Sequence, residues 1–111
     1  MKGIVWGRNI DRAKPKLWEI VEDYKRVRIQ PTRIVDSKYN AWAEFENGDK
    51  WSACGASESQ RGHKANIAYI DRAIDEETIH CIILPTICVP PYHAVNYYWV
   101  EGDDLIETKV K

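Results

Sequence analysis

With 111 residues, 44% hydrophobic and 30% charged, the sequence has the usage of one folded domain and not of a disordered tail. A formal charge of −1 excludes long-range attraction to nucleic acid as a property of the whole molecule, and leaves only local basic patches for that purpose. Cys54, Cys81 and Cys88 are odd in number and irregular in spacing, which argues against a secreted disulfide framework, and no apolar run approaches the roughly 20 residues of a membrane span.

The start, Met1-Lys2-Gly3-Ile4, lacks the pattern of a signal peptide, so the expected compartment is the cytoplasm. Ile4-Val5-Trp6, closed by Gly7, reads as a short buried strand. Helical spacing follows, with Leu17, Val21 and Tyr24 in one series and Ile20, Tyr24 and Val27 in another, merging into one apolar face. Arg12, Lys16, Glu19, Glu22, Asp23 and Arg26 fall on the wet side. Asp11 is the expected N-cap, Pro15 is expected within the first turn, and Pro31 marks the exit into the next segment.

From about Thr32 to Cys54 the period changes to two. Asn47-Gly48 stands between alternating segments, a strong signal for a hairpin with a two-residue type I′ turn. Such a turn would put Trp42, Glu44, Trp51 and Ala53 on one face and Ala43, Phe45, Lys50 and Ser52 on the other. Neither set is purely apolar, so the face that meets the core stays open.

Gly55 to Lys64 is a polar loop. Ile67-Ala68-Tyr69-Ile70 is apolar at consecutive positions, as expected of a strand covered on both faces, and ends at Asp71. Asp75 reads as an N-cap followed by Glu76 and Glu77 in the first turn, with Ile74 and Ile79 placed for a hydrophobic staple; the helix must end by Pro85. Val95 to Val100 reads as a further strand, Gly102-Asp103 as a turn, and Leu105 to Val110 as a last strand. The pattern predicts an α/β (or α+β) fold: a single domain over residues 1–111, with a mixed sheet of about five or six strands, a central Asn-Gly hairpin and two main helices packed on the sheet.

An apolar strand ending in an acid has the Walker B form, where the acid of a P-loop ATPase holds Mg²⁺. Phe45-Glu46-Asn47-Gly48-Asp49, followed by Ala56-Ser57-Glu58-Ser59-Gln60-Arg61-Gly62-His63-Lys64-Ala65-Asn66-Ile67-Ala68-Tyr69-Ile70-Asp71, resembles the middle of phage large-terminase ATPase domains. There an Asn-Gly hairpin leads to an Arg-Gly loop, an apolar strand and an Asp-Glu pair. The likeness covers residues 32–87. The resemblance implies a metal-binding role for Asp71, but the family's second acid, the base that activates water, would fall on Arg72. A cation there cannot take a proton from water and would repel a metal. Gly7-Arg8-Asn9-Ile10-Asp11-Arg12-Ala13-Lys14 sits where a phosphate loop would, without its second glycine or its Ser/Thr, and with Asp11 facing phosphate. The phrase Ala-Ser-Glu-Ser-x-Arg-Gly-x-x-x-Asn-Ile-Ala-Tyr-Ile-Asp-Arg is also similar to a family of small, functionally uncharacterised phage and prophage proteins of Gram-positive bacteria, in which Arg72 belongs to the pattern.

Other groupings are less specific. His80, Cys81, Cys88 and His93 lie close in sequence, but only Cys88 and His93 approach zinc-ligand spacing, and His80 and Cys81 would point about 100° apart on a helix. Cys54 near His63 carries no sign of an activated thiol. No metal and no cofactor is therefore expected. Arg61, His63 and Lys64, with Asp71 and Arg72, are the candidate binding residues, forming a basic rim at the carboxyl ends of the sheet, where open α/β sheets take ligands. Five Trp and six Tyr against one Phe supply rings with polar tips, suited to half-buried strands and to stacking against bases. The expected function is a non-catalytic, phage-derived binding or accessory protein of a bacterial host's cytoplasm on a degenerate ATPase-like scaffold, with a protein or nucleic-acid partner engaged through the basic Ser57–Lys64 loop and no membrane. The alternatives are a nucleotide-binding or hydrolysing enzyme, and a host-directed factor that forms a homodimer through its aromatic C-terminal strand.

Overall fold

The computed structural model describes residues 1–56, 64–87 and 94–98. The expected strand from Leu105 lies outside the described residues, as do Cys88, His93 and Trp99. The elements run β1 (Lys2–Gly7), α1 (Ile10–Arg26), β2 (Pro31–Asp36), β3 (Ala41–Phe45), β4 (Lys50–Gly55), β5 (Ile67–Asp71), α2 (Glu76–Thr78) and β6 (Ala94–Tyr98). A π-helical stretch (Ile79–Ile83) and a 3-10 turn (Leu84–Thr86) prolong α2. Among the described residues the strands form one mixed sheet in the order β2-β3-β4-β1-β5-β6. β4, β1, β5 and β6 are mutually parallel, and β3 runs against both β2 and β4. This is the α/β architecture that the alternation of strand and helix patterns predicts.

The two faces of β1 explain its unbroken apolar run. Val5 joins Ala13, Leu17, Ile20 and Val21 of α1, together with Ala43, Phe45 and Trp51, in one buried cluster. Ile4 and Trp6 join Ala68, Ile70, Ile74, Ile79 and Ile83 in another on the opposite side. Side chains alternate across a strand, so a strand covered on both faces needs apolar residues at every position. Each such side chain contributes about 1.5–3 kcal/mol of burial.

The helix begins earlier than its pattern suggests. Asn9, not Asp11, is the N-cap, its side chain accepting the Arg12 amide at 3.0 Å. Pro15 consequently lies in the second turn, where its ring removes one helical hydrogen bond on the exposed side. Val27 does not extend the apolar face: it is the C-cap and is 66% exposed. Arg28 takes φ 67°, and the amides of Arg28 and Ile29 bond to the Lys25 and Tyr24 carbonyls, so an arginine fills the left-handed position of a Schellman cap.

The turn between β3 and β4 also departs from the two-residue expectation. Trp42, Ala43 and Glu44 pair with Ser52, Trp51 and Lys50, and Phe45 N–H donates to the Asp49 carbonyl, which leaves three residues, Glu46 to Gly48, in the loop. Gly48 carries φ 95°, as a type I turn closed by a left-handed residue requires. The extra residue shifts the register by one. Ala43, Phe45, Trp51 and Ala53 now share the buried face, and Trp42, Glu44, Lys50 and Ser52 share the other. The mixed faces of the two-residue register disappear, and burial of two aromatic rings selects the slipped one.

Asp75 caps α2 as expected, accepting the Thr78 amide at 2.9 Å, and Ile74 and Ile79 both enter the core. The wider π-helical stretch lets Ile79 and Ile83 face the sheet while His80 and Cys81 are exposed. No described helix is long and apolar enough to cross a membrane.

Candidate functional site at the carboxyl ends of the parallel strands

Chain excursions from β1 run first to the β2–β3–β4 side and then, from β4, to β5 on the other side. The strand order therefore reverses at β1 and β5, and the crevice beyond their carboxyl ends is where ligands of open α/β sheets bind. A cleft of about 340 Å³ lies there against Arg8, Ala56, Ala73, Ile74, Asp75 and Thr78.

Gly7 makes the turn into α1 tight. A Cβ on it would come within 2.7 Å of the Asn9 carbonyl oxygen and 2.8 Å of the Ala13 nitrogen, so the helix starts this close to β1 only because position 7 has no side chain. From the first turn of α1, Arg12 reaches back over the sheet to β5, and its Nε lies 3.3 Å from Asp71 Oδ2. Asp71 is fully buried, and its Oδ1 accepts the Ala73 amide at 2.9 Å. The next strand completes the group: Tyr98 pairs with Asp71 in register, and its hydroxyl donates to the Trp6 carbonyl at 3.0 Å. Burial, aided by the nearby Asp71 charge and opposed by Arg12, pushes the Tyr98 phenol well above its ordinary range. On the other side of β6, Arg72 lies over the Tyr97 ring at 4.8 Å, a cation–π contact at the rim. Within the cleft, the amide and hydroxyl of Thr78 hold the exposed Asp75 carboxyl below its usual range, so the cleft carries an anion beside Arg8.

The ATPase resemblance implies Mg²⁺ on Asp71 and phosphate on the turn after β1, and the side chains present do not fit either group. Asp71 has no exposed surface, and a guanidinium sits against the oxygen a metal would use. Asn9 already occupies the Arg12 amide of the helix N-terminus, and Asp11 stands in the first turn with 80% of its side chain exposed. No step of ATP hydrolysis can be built on these positions.

Of the five candidate residues of the sequence, Lys64, Asp71 and Arg72 are described, and Lys64 does not join the other two. Arg61 and His63 lie outside the described residues. Lys64 is exposed and precedes β5, and the adjoining Asn66 bonds to both the amide and the carbonyl of Lys2, which places this segment at the amino ends of β1 and β5. Asp71 and Arg72 stand at the opposite end, about 17 Å away along a five-residue strand. Lys64 and Arg72 therefore stand at opposite ends of β5. The reason is parallel pairing: a chain that leaves β4 at its carboxyl end must enter β5 at its amino end.

Arg12 and Tyr98 are the members of this site that the sequence pattern does not reveal. Arg12 falls on the wet side of the helical wheel, and only the tertiary packing of α1 against β5 brings it to an acid. Trp6, fully buried beneath the cleft side of the sheet, has an indole N–H with no acceptor among the described residues. Elsewhere, His80 is exposed with Nδ1 at 3.1 Å from the Glu76 carbonyl, Cys81 is exposed, and Cys54 is buried in the second apolar cluster. No family model matches this chain, and no curated protein and no solved structure matches it either.

Proposed function

We propose that this chain is a non-catalytic binding protein of phage origin on a degenerate ATPase-like scaffold, which engages a partner protein or nucleic acid through basic side chains. One observation carries the non-catalytic half: Asp71, the acid at the position that would serve a metal, is buried and held by Arg12 and the Ala73 amide. With Arg72 in place of a base and Asn9 capping the helix, the carboxyl-end surface offers cations and an aromatic ring instead of a reaction centre. Arg72 and Tyr97 present that surface to a partner, and the segment containing Arg61, His63 and Lys64 supplies a second contact.

A nucleotide-binding protein is the second reading, and the cleft of about 340 Å³ at the strand-order reversal favours it. Thermal unfolding with millimolar ATP or GTP and Mg²⁺ separates the two, because any ligand of the native state raises Tm. The expected result is an unchanged Tm and no phosphate release. A Mg²⁺-dependent rise in Tm that Asp71→Asn abolishes would overturn the non-catalytic reading. Duplex DNA titrated across a salt series tests the nucleic-acid version at the rim: binding that weakens with salt and falls in Arg72→Glu supports it, and its absence leaves the protein partner.

A further inference from the structure

Among the described residues the two faces of the sheet are unequally covered. α1 packs on one face across β1, β3 and β4. On the other face, the buried cluster formed with α2 and the turns that follow it reaches only β1, β5 and the end of β4. The remaining half of that face belongs to β2, β3 and the start of β4, and among the described residues no helix covers it.

The register places its side chains in rows. Lys2 stands beside Lys50, Lys50 beside Glu44, and Glu44 beside Arg33, one row across four neighbouring strands. At about 4.8 Å per strand this row is roughly 14 Å long. In the next row Trp42 lies between Val35 and Ser52. Lys50 Nζ is 4.4 Å and Arg33 Cζ 5.3 Å from the Trp42 ring centroid, so two cations converge on one indole. Among the described residues no carboxylate forms an ion pair with Lys2, Arg33 or Lys50, and Glu44 is the one acid in the row. A depression of about 230 Å³ lies against Lys2, Tyr39, Trp42, Lys50 and Ser52, and Tyr39 is 75% exposed.

We propose that this face is a binding platform for single-stranded nucleic acid, located apart from the carboxyl-end rim and independent of it. Three cations in a line on a chain of net charge −1 form a local positive strip that complements a phosphate backbone. The indole and the Arg33 guanidinium offer flat surfaces on which unpaired bases stack, which is how sheet faces hold single strands. Lys50 and Arg33 exchange the ring for a phosphate when a base takes their place. A duplex keeps its bases stacked on one another and presents only phosphates, so it would use the cations but leave Trp42 without a partner. An acidic polypeptide would do the same.

The test is fluorescence anisotropy of a labelled oligothymidylate of roughly 20 nucleotides, longer than a single site of this kind. Binding is expected at low salt, with log K falling against log salt at a slope of about −2 for three neutralised phosphates. Trp42→Ala should weaken binding about tenfold through the lost stack. Lys50→Glu and Arg33→Glu, both surface changes, should weaken it at least as much and flatten the salt slope, and Glu44→Gln should tighten it. Thermal unfolding of each variant confirms the fold. The proposal is overturned if the oligonucleotide does not bind at low salt, or if Trp42→Ala and Lys50→Glu bind as the parent does. Duplex DNA or polyglutamate binding as tightly as the single strand would also overturn it. So would loss of binding confined to Arg72→Glu, which would assign the nucleic acid to the rim.

Discussion

Arg12 and Asp71 are 59 positions apart in the chain, and their side chains meet at 3.3 Å at the carboxyl end of β5. Asp71 has no access to water, whereas a quarter of the Arg12 side chain does (26% exposed). Removing the arginine strands a carboxylate in the interior, the costly way to break an ion pair. Arg12→Ala should therefore lower stability by about 2–3 kcal/mol in urea unfolding, less than a fully buried pair because one end is hydrated. A loss below about 0.5 kcal/mol would mark the pair as an ordinary surface contact and remove the argument that Asp71 is committed to structure. That Asp71 ends a strand is legible in Ile67-Ala68-Tyr69-Ile70-Asp71. Its partner is not, because nothing in the spacing of α1 distinguishes Arg12 from the other charges on its outer side.

At the scale of elements, α1 is docked on the β3–β4 hairpin by a polar chain at one margin of the apolar cluster. Trp51 Nε1 donates to the Tyr24 hydroxyl at 2.9 Å, and that hydroxyl donates to Asp49 Oδ2 at 2.7 Å. The Tyr24 ring stacks on Phe45 with centroids 4.0 Å apart. Partial burial, supported by the bond to Asp49 and its charge and opposed by the Trp51 donor, pushes the Tyr24 phenol up to about 12. Asp49 moves the other way: burial raises it, but hydrogen bonds from Tyr24, the chain's amino group and Asn47 outweigh that and hold it below its usual value. A phenol whose pKa is higher folded than unfolded stabilises the fold fully below about pH 10, and that stability is lost as the pH rises toward 12. Ultraviolet titration should show Tyr24 ionising near 12, a step that Tyr24→Phe removes while the raised Tyr98 phenol remains, with the parent losing stability over that interval more steeply than the variant. Ionisation of every tyrosine near pH 10 would contradict the bonded geometry. Asn47-Gly48 pointed to a break between two strands, but not to the three-residue turn or the register that the structure has. A two-residue and a three-residue turn suit the same glycine, and only the joint burial of Phe45 and Trp51 under α1 separates them.

For the whole molecule, β1 has a parallel neighbour on each side and an apolar layer on each face. Opening it requires disrupting both clusters, so its amides should exchange only through global unfolding, whereas those of β2, an edge strand with largely exposed side chains, exchange by local opening. Hydrogen exchange measured by mass spectrometry checks the ranking; equal protection of β1 and β2 would contradict it. The sequence by itself marked β1, α1, the β3 and β4 segments and β5, and showed that β1 and β5 are covered on both faces, since these follow from local periodicity and side-chain polarity. The tertiary structure alone decided that Lys64 and Arg72 occupy opposite ends of β5, that Arg12 holds Asp71, and that Arg33, Trp42, Lys50 and Lys2 share a face that no helix covers among the described residues. Those facts depend on strand order and register, which are set by burial of whole faces against distant parts of the chain and leave no mark on the spacing of neighbouring residues.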